Sequence, residues 1–242
     1  MERRIENKTL RFVLVLIPII GISLPLAADF KYNLTYSSSY IWRGFDLNPI
    51  QKMVLQPSVD YTFGKSGLAL NLWSSFSFVN RNSNEIDLTL SYTFKTSKNL
   101  RLNAGLIHYG WYLVEDFSLE NDTSHEIFVS AGLPNLMTHP TVTVFYDFTN
   151  GDGFYLQLET DHSITITQSI QTELSASLGY NGGQWLAEGV DPGFSDLNIG
   201  LAVLFEYKGW NITPFVNYTY VLLDALGNDS FFWFGVGVGT KK

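Results

Sequence analysis

Acidic side chains recur two residues apart in this chain, as in Glu85-Ile86-Asp87 and Glu159-Thr160-Asp161. On an extended strand that spacing sets both carboxylates on one face. Such a pair could work as general acid and base, raise the local concentration of cations, or simply line a wetted surface. Asp60, Glu126, Asp147, Glu173, Asp196 and Glu206 occupy comparable polar positions, and the cations set against them are few: Lys31, Lys52, Arg101 and, in YSSSYIWRGF, Arg43. A guanidinium among carboxylates forms bidentate, charge-assisted bonds. Arg43 therefore has two readings: a structural pair across an interior, or part of a selectivity constriction.

Catalytic chemistry finds little support. There is no cysteine, no Gly-x-Ser-x-Gly and no glycine-rich phosphate loop ahead of a helix. The four histidines, His108, His125, His139 and His162, are scattered without metal-ligand spacing. His162 lies next to Ser163, so on a strand the two side chains point to opposite faces and cannot form a nucleophile and base. No catalytic, cofactor-binding or metal-binding residue is predicted, and a formal charge of −8 argues against nucleic acid.

The elements that carry these residues follow from the chain's periodicity. MERRIENKTLR is a basic opening and FVLVLIPIIGISLPLAA an apolar run ending in small residues, which reads as a signal peptide over 1–28 cut after Ala28. An uncleaved anchor helix is the alternative, although the run is short for one. From Asp29 onward the chain alternates. In Ile86 to Phe94 one face is wholly apolar and the other wholly polar, and the same pattern recurs in about twelve segments, each near the ~9–11 residues a tilted membrane strand needs.

Their expected cores are 30–43, 51–63, 68–79, 85–95, 100–112, 124–133, 141–149, 153–162, 169–181, 195–207, 210–221 and 230–239. Connections alternate between short turns such as Gly64 to Gly67 and longer polar loops such as 113–123 and 181–194, although Pro134 to Pro140 is long for a turn and Asn150 to Gly153 short for a loop. Aromatic pairs gather at the segment ends: Tyr61/Phe63 and Tyr92/Phe94 near the turns, Tyr146/Phe148, Tyr218/Tyr220 and Phe232/Phe234 at the far side. Two such girdles mark lipid interfaces. The first segment, read as one strand through Trp42, places Tyr40 and Trp42 outward and Arg43 inward near the outer mouth. In the fifth, Ile107, Tyr109 and Trp111 run out of phase with Leu102 and Leu106, which a bulge near Gly105 would reconcile.

The predicted fold is an all-β transmembrane antiparallel barrel of about 12 strands over residues 29–242, in the bacterial outer membrane. A soluble β-sandwich also alternates, but its strands are about half as long. The lipid-bound partners of such a barrel are the bilayer and lipopolysaccharide, and its inward face carries Arg43, Asp60, Glu85, Asp87, Arg101, Glu126, Asp147, Glu159, Asp161, Glu173, Asp196 and Glu206. The loops 150–153 and 188–191 could hold calcium, although turn chemistry explains the same residues.

SYIWRGFDLNPIQKMVLQPSVDYTF, residues 39–63, resembles the opening of a proteobacterial family of outer-membrane barrels of unassigned role, with an N-terminal Tyr-x-Trp-Arg-Gly signature. GVGVG at 235–239 is a further echo. The resemblance implies location and fold, and no activity. The chain departs from the aromatic last residue usual in such barrels, ending Gly239-Thr240-Lys241-Lys242. Two functions then fit: a narrow passive channel with an acidic, cation-favouring lumen for small cationic or neutral solutes, or a non-conducting scaffold that binds a protein partner through its loops or turns. Trp73, Phe128, Phe145 and Tyr155 in the inward phase lean toward a constricted interior.

Overall fold

The computed structural model describes residues 29–49, 53–77, 84–94, 96–112, 119–227 and 229–241. The expected signal peptide, Lys52 and most of the loop after the fifth barrel strand lie outside the described residues, as does the side chain of Trp111.

Twelve long strands among the described residues hydrogen-bond into one closed antiparallel barrel: β1 (Asp29–Ser37), β4 (Val54–Thr62), β5 (Leu68–Ser77), β6 (Asn84–Phe94), β7 (Arg101–Tyr112), β8 (Leu119–Gly132), β9 (Thr141–Asp147), β10 (Gly153–Thr167), β11 (Ile170–Gly182), β12 (Gly193–Tyr207), β13 (Trp210–Val221) and β14 (Phe231–Thr240). The ring closes where β14 pairs with β1, from Asn33 opposite Gly239 to Ser37 opposite Gly235. Closure leaves no edge strand, so the backbone groups of every strand meet a neighbour. No helix among the described residues is long and apolar enough to cross a membrane.

Alternation sorts the two faces as expected. Leu88, Leu90, Tyr92 and Phe94 of β6 are exposed on the outside, as are Tyr146, Phe148, Tyr218, Tyr220, Phe232 and Phe234 of the far girdle. The opposite phase looks into a cavity bordered by Asn71, Trp73, Asp87, Tyr109, Phe145, Tyr155, Asn198 and Trp233. Side chains from seven strands can share one cavity only inside the ring. The connections at 133–140 and 148–152 take the expected sides, the first folded by turns from Leu133 to Leu136 and on to His139.

Three local expectations are corrected. First, β7 carries no bulge at Gly105: its register with β6 runs unbroken from Asn84 opposite Tyr112 to Phe94 opposite Leu102. Tyr109 faces inward because it packs there, and Gly105 is small because a Cβ would stand 2.5 Å from the Phe128 ring and 2.6 Å from the Leu90 carbonyl oxygen. Second, β10 runs on to Thr167, so its turn into β11 is only residues 168–169.

Third, the first strand stops at Ser37, well short of Arg43. Residues beyond it fold back into the barrel as a small hairpin, β2 (Ile41–Trp42) with β3 (Phe45–Asp46), whose two-residue tip is Arg43-Gly44. Both tip residues have positive φ, 50° and 86°, as a type I′ hairpin turn requires. Tyr40 and Trp42, expected on the lipid girdle, are therefore inside.

Candidate functional site

The hairpin holds itself together and is anchored to the wall by side chains. Its backbone bonds close internally, Ile41 with Asp46, Trp42 with Phe45, and Leu47 N–H to the Tyr40 carbonyl oxygen at 2.9 Å. Gly44 approaches the wall so closely that a Cβ would meet Leu226 Cδ1 at 2.9 Å and Asp196 Cβ at 3.3 Å. Leu226 belongs to a single 3-10 turn, Asp224–Leu226, between β13 and β14.

From this tip the Arg43 side chain, 8% exposed, reaches Glu126 of β8, which is fully buried. Nη1 donates to Oε2 at 2.6 Å and Nη2 to Oε1 at 2.9 Å. Tyr109 of β7 donates to the same Oε1 at 3.0 Å. Gln184, from the loop after β11, accepts from Arg43 through its side-chain oxygen and donates to Glu126 through its amide. Asn181 fixes that loop by donating to the Gln184 carbonyl oxygen at 2.9 Å. Three aromatic faces surround the guanidinium: its central carbon lies 4.1 Å from the Phe145 ring centre and 4.6 Å from those of Tyr155 and Trp42. Each face adds a cation–π attraction, stronger where water is excluded. Burial works against the charge of Arg43, but the carboxylate bonded to it outweighs burial and raises its pKa above the ordinary value.

Two outer shells support this centre. Tyr155 donates to Asp196 at 2.9 Å, and Asp196 also accepts from Ser195 at 2.6 Å and Asn198 at 2.7 Å. On the other flank Tyr40 donates to Glu85 at 2.8 Å and packs its ring against Trp73. Burial, with the charges of Glu85 and Asp87 beside it, pushes the Tyr40 hydroxyl well above its ordinary pKa, so it remains a donor. Asp87 Oδ1 is buried with no hydrogen-bond partner in the structure. Above the hairpin lies an apolar cavity of about 320 Å3 between Trp42, Phe45, Leu47, Tyr109 and Trp185, with Glu85 as the one carboxylate among the described residues that line it. Below lies the larger lumen cavity, about 500 Å3.

The remaining acids expected to line the interior sit apart from Arg43. Asp147 accepts from the Ser124 hydroxyl, which lies 2.7 and 2.6 Å from its two oxygens, and from the Thr149 backbone N–H at 3.0 Å. Asp60 accepts from Asn71 at 2.8 Å. Arg101, Glu159 and Asp161 border a cavity toward the short turns, where Asp161 meets His139 at 2.8 Å, and Glu173 lines its neighbour with the same two acids. Glu206 pairs with Lys241 at the turn end. The histidines are less scattered than their spacing suggests: His108 and His125 face each other across β7 and β8 at 3.1 Å. No group of three ligating side chains exists among the described residues.

Sequence reasoning missed Gln184, which has no periodic context in its loop, and misplaced Tyr40, Trp42 and Tyr109. A signal for the hairpin was present. Arg-Gly between two aromatics is a two-residue turn pattern.

A model of the Gcw_chp family, bacterial proteins of unknown function, matches residues 26–225. The chain belongs to that family. Comparison with curated protein sequences gives no match. Among solved structures, this family member is similar to the KdgM porin, with 12% identity, a TM-score of 0.58, and 88% of this chain and 99% of that one covered. It is similar too to LpxR from Salmonella typhimurium (9% identity, TM-score 0.57, 88% and 100% covered) and to the COG4313 outer membrane channel from Pseudomonas putida F1 (11% identity, TM-score 0.53, 90% and 96% covered). At these identities the likeness is one of fold: the family shares the closed barrel architecture of outer-membrane porins.

Proposed function

We propose that the chain is an outer-membrane channel for small solutes, held closed at rest by its own first loop, with an interior that favours cations. The observation that carries this reading is the buried, bidentate Arg43–Glu126 pair, made between a self-contained hairpin and the barrel wall. A barrel whose interior needs only filling can do so with its own wall side chains. Here the hairpin borders two cavities, one lined by Trp42, Phe45 and Leu47 and the other by Tyr40, Ile41, Trp42 and Arg43.

Cation preference rests on the acids Asp60, Glu85, Asp87, Glu126, Asp147, Glu159, Asp161, Glu173, Asp196 and Glu206, opposed on the same face by Lys31, Arg43 and Arg101 among the described residues. Excess charge of one sign in a narrow low-dielectric passage concentrates its counterions. The bilayer and lipopolysaccharide are the surroundings this reading implies for the exposed aromatic girdles, and residues 1–28 its export signal. A closed scaffold that meets a partner through its outer loops is the second reading, favoured by the completeness with which Glu126 is satisfied.

The deciding experiment is the single-channel current of the refolded chain in a planar bilayer under a salt gradient. Openings with a cation-selective reversal potential support the channel. A folded barrel that stays silent, in the wild type and when the hairpin is released by Arg43→Ala, supports the scaffold.

A further inference from the structure

The wall around Arg43 is a finished receptor for a guanidinium, and most of it does not travel with Arg43. Glu126, Tyr109, Phe145 and Tyr155 belong to four adjacent strands of the barrel, while Arg43 belongs to a hairpin whose backbone pairing among the described residues is within itself. When the hairpin leaves, Trp42 leaves with it. A carboxylate with two oxygens aligned for parallel N–H donors, a tyrosine hydroxyl, the Gln184 side-chain amide and two aromatic faces remain. The strands that carry these groups are held in register by their ladders, so their backbones keep the spacing of the site.

We propose that Arg43 is a built-in stand-in for the solute, and that the barrel takes small organic cations bearing a guanidinium or amidinium group, which open it by replacing Arg43 at Glu126. The inference rests on the channel reading above and adds the solute class. Three features separate this class from simple inorganic cations. The Glu126 oxygens accept two parallel bonds, which a planar fork satisfies and a spherical ion does not. The Phe145 and Tyr155 faces reward a delocalised, weakly hydrated cation. Among the described residues, the cavity on the outer side of the hairpin is lined by apolar side chains and Glu85, which suits an apolar body joined to a cationic head.

Binding and conduction are measured separately. Methylguanidinium is titrated by calorimetry into the refolded Arg43→Ala barrel, into Arg43→Ala/Glu126→Gln, and, as a comparison, methylammonium into the first. The expected result is saturable methylguanidinium binding, weaker by about tenfold or more without the carboxylate, and weaker for methylammonium. In the wild-type protein, which needs no substitution to fold, methylguanidinium should accelerate hydrogen exchange over residues 38–49, and sodium at equal ionic strength should not. Absence of saturable binding, or equal binding without the Glu126 charge, overturns the proposal, as does unchanged exchange of the wild-type loop. Binding without any current in the bilayer keeps the receptor and removes the channel. Current without binding keeps the channel and removes the receptor.

Discussion

Arg43 and Glu126, 83 residues apart in sequence, meet inside the barrel through two parallel bonds of 2.6 and 2.9 Å. Removing one partner from a buried pair leaves the other charge uncompensated, at a cost of about 3–5 kcal/mol. The hairpin offers a release, because it can withdraw and let water reach whichever charge remains. Arg43→Ala and Glu126→Gln should therefore each raise open-channel current, and together they should show a coupling of about 1–3 kcal/mol in the stability of the inserted loop. Bilayer current and hydrogen exchange over 38–49 measure the two.

Gly44 serves the hairpin twice, by its φ of 86° and by its approach to Leu226 and Asp196. Gly44→Ala should destabilise the inserted hairpin by about 1–3 kcal/mol. The melting temperature of the barrel should stay unchanged, since no ladder bond is touched; the check is thermal unfolding beside loop exchange. A fall in barrel stability equal to that of the loop would count against an independent hairpin.

Tyr40→Phe removes the one donor that Tyr40 offers to Glu85 and keeps its ring on Trp73. A hydrogen bond to a charged group contributes about 1.5–3 kcal/mol. The loop should exchange about tenfold faster or more, with the Arg43–Glu126 pair still formed most of the time.

Asp87 and Glu173 face different cavities along the lumen. Asp87→Asn with Glu173→Gln should reduce the cation preference without changing the barrel. An unchanged reversal potential would remove the acid lining as the source of selectivity.

Gly105→Ala tests the unbroken β7. A Cβ there meets the Leu90 carbonyl oxygen at 2.6 Å, and backbone of the neighbouring strand cannot shift as a side chain can. Overpacking of this kind costs about 1–3 kcal/mol, so the midpoint of barrel unfolding should fall. In a bulged strand the substitution would be tolerated.

The barrel was legible because its strands are long, regular and wet on one side only, so a period of two repeats often enough to be read in Ile86 to Phe94 and in Leu197 to Tyr207. Gly235 also acquires a reason: a Cβ there would strike the Tyr36 carbonyl oxygen and the Phe215 ring. The hairpin was hidden because Tyr36, Ser38, Tyr40 and Trp42 happen to keep the strand's alternation after the strand has ended. Two-residue strands supply too little pattern to contradict it. Tyr109 was hidden for the opposite reason, since its aromatic ring follows the correct phase but serves an interior that is partly aromatic. Gln184 depends on a contact across 141 residues from Arg43, and nothing local announces it.

The seam between β1 and β14 sets an order of events. The pocket that receives Arg43 is made from β7 to β12, and it becomes an enclosure only once the last strand has met the first. Residues 38–49 precede every strand of that pocket in the sequence, yet the enclosure they enter needs the last strand in place. Until Arg43 arrives, Glu126 has Tyr109 and Gln184 as partners and no cation, so closure of the ring comes before the latch.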